Sequence, residues 1–408
     1  MKKNPYDLKN LPPLANRPKN INLIKWFFSL IVFFLVGSIC LKVLFGSHVE
    51  TVSWVWIILT IFLMWLAIFI VYVLMWLILH IRANGMDKAR EDWILNQTRK
   101  SRRALQILYS GFITCHISDQ SSFSPLQSLM KNKDGIISQI DRRGNSGIRH
   151  SQLPYSNTEP VLTLIKKCLN ELLIPITQIL KNLPSDTPVK ILTELSTSVE
   201  HSDVKGTIRE LMSNHCSDYS MEFISGSGME LIEDWLENNI HDHAVLLVLA
   251  MQVDPGKPDG TAEAMSAILF GNRLTQRTIS PKAFLHRPDL STSDALECSM
   301  QQAAYNVPLQ DNVVKSIWLS NLTAEQYQTV IKNVGKYPTE AVEPENIIYP
   351  DTTIGHAGAA SQWLICSAAA CAAEQMEIPQ MLIIGDGTKN LMWSGLIMPA
   401  VALQEKES

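Results

Sequence analysis

The residue whose type and setting best suit chemistry is His356, in the stretch TIGHAGAASQWLICSAAACAAEQ (353–375). An imidazole at a strand-to-helix turn serves as acid, base or oxyanion donor, because its unperturbed pKa lies near neutrality. It cannot act alone and needs a nucleophile and a second polar partner. The bland alternative is a buried ring hydrogen-bonded to backbone at a strand end. The seven cysteines (Cys40, Cys115, Cys168, Cys216, Cys298, Cys366, Cys371) are odd in number, scattered and without a CxxC pair. That pattern indicates neither a zinc site nor a disulfide framework, and a reducing compartment suits it. The HDH triplet at His241–His243 has no third ligand nearby in sequence and reads as a solvated turn. GDGTKN (385–390) lacks the order of a phosphate loop and reads as a turn, as does DPGKPDG (254–260). No GxSxG or HExxH is present. No metal and no cofactor is expected.

The elements that must position His356 divide into an apolar start and a mixed remainder. From Trp26 to Phe45 the chain is apolar apart from Lys42, and from Val52 to Leu79 it carries no charge. The second run, at 1.5 Å per residue, covers roughly 42 Å against a hydrocarbon core of about 30 Å. Both read as membrane spans, with Trp54, Trp56 and Trp76 near the interfaces. Lysines and arginines precede the first run (Lys2, Lys3, Lys9, Arg17, Lys19, Lys25) and follow the second (Arg82, Lys88, Arg90, Arg99, Lys100, Arg102, Arg103), while GSHVET between them has none. The positive-inside rule then places both termini in the cytoplasm. The basic group around Lys100 reads as a solvated helix face, compatible with anionic lipid. A net charge of −4 excludes a general attraction to nucleic acid.

Four regions follow: a cytoplasmic arm (1–22), a transmembrane hairpin (23–82), a juxtamembrane linker helix (83–104) and a cytoplasmic domain (105–408). In that domain ALQILYSGFITCHIS reads as a strand, and Asp119–Tyr155 as an extended loop with little regular structure. TEPVLTLIKKCLNELLIPITQILKNL has helical periodicity, TPVKILTELST reads as a strand, and SGMELIEDWLENN as a helix. HAVLLVLAMQV is a continuous apolar run of the kind buried on both faces of a sheet. Beyond it, DGTAEAMSAILFG fits strand or helix, DALECSMQQAAYNV and TAEQYQTVIKNVG fit helices, and VVKSIWLSNL, QMLIIGDG and LMWSGLIMPAV fit strands. Alternating strands and helices predict an α/β architecture with largely parallel pairing, long enough for two halves.

The order of these elements from about Leu105 to Val401, with FISGSGMELIEDWLENNIHDHAVLLVLAMQV and TIGHAGAASQWLICSAAACAAE, resembles the thiolase and β-ketoacyl synthase superfamily. The resemblance implies a layered αβαβα fold of two related halves. It also implies a cysteine nucleophile at the start of a buried helix and two histidines, one of them in a Gly-His turn before a small-residue helix. His356 matches that turn, and Ala357, Gly358, Ala359 and Ala360 suit close helix packing. Ser225 of ISGSG falls at the nucleophile position beside Gly226, and Ser320 or Asn321 takes the place of the second histidine. By this matching two of the three catalytic groups are missing, and a serine needs a base to hold its proton. The expectation is a vestigial site and a non-catalytic, inner-membrane-anchored thiolase-like adaptor that binds a protein partner. A narrower similarity, carried by RHSQLP and DGTAEAMSAILFG, is to accessory proteins of bacterial type VI secretion, where degenerate thiolase-like domains serve as effector adaptors. The alternative is a membrane-bound acyltransferase or condensing enzyme using a Ser225–His356 pair, for which the two side chains must meet beside an apolar tunnel. Edge-to-edge homodimers are expected by analogy with the family.

Overall fold

A computed structural model of the protein describes residues 11–45, 51–116, 124–184, 187–215, 219–272, 279–307, 309, 313–386 and 390–400, without the side chains of residues 41, 42, 44, 45 and 51–54. Lys42, Trp54, the GSHVET connection up to Glu50, Cys216 and residues 387–389 of the GDGTKN turn therefore lie outside the description.

The chain forms two compact units, Asp7–Thr98 and the body from Arg99 onward. In the first, α1 (Leu23–Phe45) and α2 (Thr51–Ser101) are long and apolar enough to cross a membrane. Trp26 of α1 packs edge-on against Trp65 and Phe69 of α2, at centroid distances of 6.1 and 5.0 Å, and the Trp65 indole donates to Ser29 Oγ at 3.1 Å. A small residue, Gly37, lets Ile61 approach. The segment before α1 lies back along α2. Asp87 accepts from the Ala15 amide and from Arg17, both at 2.9 Å, and these contacts hold its carboxyl below the usual range, the Ala15 bond foremost. The polar stretch after the second apolar run is helical and continues α2, which is unbroken from Thr51 to Ser101.

The body follows in the order β1 (Ala104–Ile113), α3 (Pro125–Met130), β2 (Ile137–Gln139), β3 (Ile148–His150), α4 (Val161–Leu180), β4 (Val189–Thr197), α5 (His201–His215), β5 (Met221–Ile224) and α6 (Gly228–Asp234). A π-helical turn, Trp235–Asn239, continues α6 into β6 (Val245–Val253) and β7 (Ala264–Gly271). Next come β8 (Ala283–His286), β9 (Asp289–Thr292), α7 (Leu296–Tyr305), β10 (Ser316–Ser320), α8 (Ala324–Asn333), β11 (Ile347–Ile348), α9 (Pro350–Thr353), α10 (Ser361–Met376), β12 (Gln380–Gly385) and β13 (Leu391–Pro399).

Eleven strands form one sheet in the order β11-β10-β12-β13-β8-β1-β7-β6-β4-β5, with β9 also on β13. Its two arms repeat one pattern. In β5-β4-β6-β7-β1 the first two pairings are parallel and the next two antiparallel, and β11-β10-β12-β13-β8 has the same sequence of directions. Pairing is thus mixed rather than largely parallel, because β6–β7 and β12–β13 are joined by connections too short for a crossover. Ala104–Ile107 pairs antiparallel with Ala283–His286 and joins the arms.

Side-chain alternation assigns the layers. Along β6, Leu246, Val248 and Ala250 face one apolar core with α6 and α10, while Leu247, Leu249 and Met251 face another with α4 and α5. A third core, with α7 and α8, covers the opposite side of the second arm. The layers are α4/α5, first arm, α6/α10, second arm and α7/α8, which is the expected αβαβα order. The central helix α10 is buried on nearly every side; five alanines from Ala368 to Ala373 are fully covered, and such residues let two sheets close on one helix. Ser266 Oγ of β7 donates to Trp363 O of this helix at 3.0 Å and lies 2.7 Å from Ser367 Oγ, which ties the helix to the first arm.

The segment read as an extended loop is more ordered than its composition implies. Among its described residues, α3 carries a Ser124–Gln127 capping box, and β2 and β3 form a small ladder. The Arg142 guanidinium grips Glu263 through two bonds of 2.7 Å, both side chains almost wholly buried, and the amides of Leu153 and Asp254 donate to the same carboxylate at 3.0 Å. Arg143 caps the DPGKPDG turn through Asp254 and the carbonyls of Asp254, Pro255 and Gly256. DGTAEAMSAILFG supplies β7, so its reading resolves to strand.

Candidate functional site

His356 and Asn321 come together. Asn321 follows β10 directly and adopts a left-handed conformation with φ +58, which an asparagine tolerates when its polar groups are held. Its amide N–H donates to Asp351 Oδ2 at 2.7 Å and its side-chain Nδ2 to Gly385 O at 2.9 Å. Asn321 Oδ1 thereby faces His356 Nε2 at 3.0 Å. On the other side of the ring the Gly358 amide donates to Nδ1 at 3.3 Å. A ring that accepts at Nδ1 carries its proton on Nε2, so His356 is the donor to Asn321.

The backbone at His356 is fixed as tightly. Its carbonyl accepts from the Ala262 amide at 3.0 Å and Gln252 Nε2 at 2.8 Å, and its amide donates to Gly260 O at 3.1 Å. Gly355, at φ +102, is required by this approach, because a Cβ there would lie 2.6 Å from the Thr261 carbonyl oxygen.

Around this pair lies a cleft of about 270 Å³ lined by Asn321, Leu322, Thr323, Tyr349, Asp351 and His356. Burial pushes the Asp351 carboxyl up, opposed by the Asn321 amide and by His356. Burial, then the neighbouring Asp351, pushes the Tyr349 phenol up to about 12, and its hydroxyl donates to Leu322 O at 3.1 Å. Leu322, Thr323, Tyr349 and Asp351 are the lining residues that sequence reasoning missed. The Pro-Asp-Thr-Thr start of α9, just ahead of the Gly-His turn, is the signal that points to Asp351.

Ser225 sits elsewhere. It is exposed in the three-residue connection between β5 and α6, does not line the cleft, and has no hydrogen bond to His356 among the described residues. Where α6 begins, Gly228 (φ +54) donates its amide to Glu194 Oε1 at 2.6 Å, and Gln362 Nε2 of α10 donates to Glu194 Oε2 at 3.1 Å. A Cβ on Gly228 would lie 2.6 Å from Gln362 Oε1. The start of this helix is therefore occupied by the chain's own carboxylate and amide. Ser320, at the end of β10, is fully buried.

The other sequence candidates resolve as ordinary contacts. Asp242 of the HDH triplet accepts from Asn239 at 2.7 Å and Lys190 at 3.3 Å, which lower its pKa, the Asn239 bond foremost. No group of three metal-ligating side chains occurs among the described residues. In the basic group around Lys100, Arg99 and Arg102 are exposed, while Lys100 pairs with Glu237 at 2.6 Å and Arg287 reaches the same carboxylate at 3.1 Å. Cys366 is fully buried, and burial pushes its thiol well up, away from the reactive thiolate.

No family model and no curated protein matches this chain. Solved structures do. The ishigamide ketosynthase/chain length factor superposes with a TM-score of 0.51 at 10% identity, over 72% of this chain and 99% of that one. The body has a thiolase-like fold. Two further structures match at lower scores: human mitochondrial 3-ketoacyl-CoA thiolase in complex with CoA (TM-score 0.45, 10% identity, 73% of this chain and 98% of that one) and the PfaC ketosynthase-chain length factor (0.48, 11%, 73% and 43%). At such identity the likeness concerns the fold, and the chain spans less than half of the PfaC structure.

Proposed function

We propose that this protein is a membrane-anchored, thiolase-like binding protein that performs no acyl chemistry. The observation that carries the reading is the state of His356: both ring nitrogens are committed to the chain's own groups, Nε2 to Asn321 and Nδ1 to the Gly358 amide, and neither meets Ser225. A general base must be within hydrogen-bond reach of the proton it removes. The Glu194–Gly228–Gln362 contacts add support, because they fill the end of α6 where the resemblance expects the nucleophile.

In this reading α1 and α2 span the bacterial inner membrane with both termini and the body in the cytoplasm, consistent with their length and the basic residues that flank them. The anchor then confines a weak binder near its partner and raises effective concentration without new contacts. The partner is a protein. Its assignment to a type VI secretion component or effector rests on the sequence resemblance alone, as does a homodimer.

A fluorophosphonate probe applied to the full chain tests the non-catalytic reading; no labelling that depends on Ser225 is expected. Labelling abolished by Ser225→Ala would overturn it in favour of the acyltransferase or condensing enzyme. Pull-down of the full chain from a bacterial lysate, with and without effectors, tests the adaptor role.

A further inference from the structure

The segment before α1 and the middle of α2 enclose a groove of about 480 Å³, lined by Asn20, Ile21, Leu23, Phe69, Val73 and Trp76. It is built by tertiary contact. The Trp76 indole N–H donates to the Lys19 carbonyl at 3.0 Å and holds the arm against the helix as one wall. Further along α2 the arm is fixed again by Asp87, and by Arg90 donating to the Pro12 carbonyl at 2.5 Å. The groove is within the size range of small-molecule sites, and five of its six lining residues are apolar or aromatic.

Its surroundings carry charge of one sign. Lys19 adjoins Asn20, Lys25 follows Leu23 by two positions, and Arg82 follows Trp76 by six. Lys19 and Lys25 are exposed, and none of the three cations has an ion pair among the described residues. Between residues 11 and 86 the sequence holds a single acid, Glu50, and Asp87 is engaged by Arg17. An apolar channel bordered by unpaired cations fits an anionic amphiphile: the channel takes hydrocarbon and the lysines take phosphate.

We infer that this groove binds one anionic glycerophospholipid, with an acyl chain along Phe69, Val73 and Trp76 and the phosphate near Lys19 and Lys25. The inference rests on the reading of α1 and α2 as membrane spans. Sequence shows basic residues flanking the hairpin; the structure adds a defined groove, so binding is stoichiometric rather than a diffuse attraction.

The test uses full-length protein in neutral detergent, with phosphatidylglycerol or phosphatidylcholine of identical chains added and bound lipid counted by native mass spectrometry. One retained phosphatidylglycerol is expected, in preference to phosphatidylcholine. Lys19→Gln and Lys25→Gln should each weaken its retention roughly fivefold, from the worth of one cation beside an anionic headgroup. Val73→Trp should displace the lipid by filling the groove while leaving both lysines in place. Equal retention of the two lipids, or retention unchanged in Val73→Trp and in the double lysine variant, overturns the inference. Carbonate extraction of membranes holding the wild-type chain tests the spans separately: release into the soluble fraction overturns the spans, and lipid indifference in a protein that resists extraction overturns only the groove.

Discussion

The two halves of the body share strand directions and differ where a buried helix begins. In the second half the turn before α10 presents His356 to Asn321 beside an open cleft. In the first half the turn before α6 holds glycine at the decisive position, and Glu194 and Gln362 close over it. The helices differ accordingly. α10 runs sixteen residues through the core, whereas α6 lasts seven before a π-helical turn. The first half also carries the β2–β3 segment between β1 and α4, for which the second has no counterpart among the described residues. A repeated scaffold thus constrains the layers strongly and the ends of its central helices weakly; the polar end groups are where the halves diverge.

That comparison can be attacked in four places, measured by denaturant or thermal unfolding of the full chain. The largest effect is expected at the segment unique to the first half. Glu263→Ala leaves Arg142 buried without its partner, and a loss of about 3–5 kcal/mol follows from breaking such a pair on one side. A much smaller loss would mean that the segment is not integral to its half.

Next comes acid sensitivity at the seam. His286 of β8 is buried and held neutral, its pKa lowered to about 4 by desolvation, against an ordinary value of 6.5. Between those values the unfolded chain binds a proton that the folded chain refuses, so stability falls as pH drops through this window. The loss is up to about 3 kcal/mol, at about 1.4 kcal/mol per pH unit. His286→Phe should flatten that slope.

A smaller change is expected for Asn321→Ala, which strips His356 Nε2 and Gly385 O of their partners and places alanine at φ +58. About 1–3 kcal/mol is the cost expected of unsatisfied groups of this kind. The smallest effect belongs to Gly228→Ala, about 1 kcal/mol, from the left-handed backbone and from a Cβ that pushes the movable end of Gln362. If Gly228→Ala proved costlier than Asn321→Ala, the first-half turn would be the more tightly specified of the two.

Much of this architecture was legible in the chain. The unbroken apolar run of β6, the alanine-rich α10 and the capping box that opens α8 announce their elements through burial, size and hydrogen-bonding pattern. β5 and β11, with four and two residues, are too short to show any period. α5 leaves only a weak signal although Val204, Ile208, Leu211 and Met212 recur at helical spacing, because Gly206 and polar neighbours dilute the pattern. Strand direction lies in connection length rather than in strand–helix alternation: DPGKPDG between β6 and β7 is a turn, and a turn joins antiparallel neighbours. At the site, flanking glycines single out His356, and the resemblance gives Ser320 or Asn321, of which Asn321 meets the ring. The start of α9 ahead of the Gly-His turn points to Asp351, whereas Tyr349 joins the cleft only through tertiary packing, which local spacing does not encode. The Glu194 contact at α6 likewise links residues 34 positions apart and leaves no trace in sequence.

The short ladder between Ala104–Ile107 and Ala283–His286 bears on how this body can be dissected. Cutting the chain between the repeats would lay bare a row of unpaired amides and carbonyls on β1 in one fragment and on β8 in the other, along with the greasy flank that α10 normally shields. Either piece expressed by itself should clump, whereas the two co-expressed should find each other along that ladder.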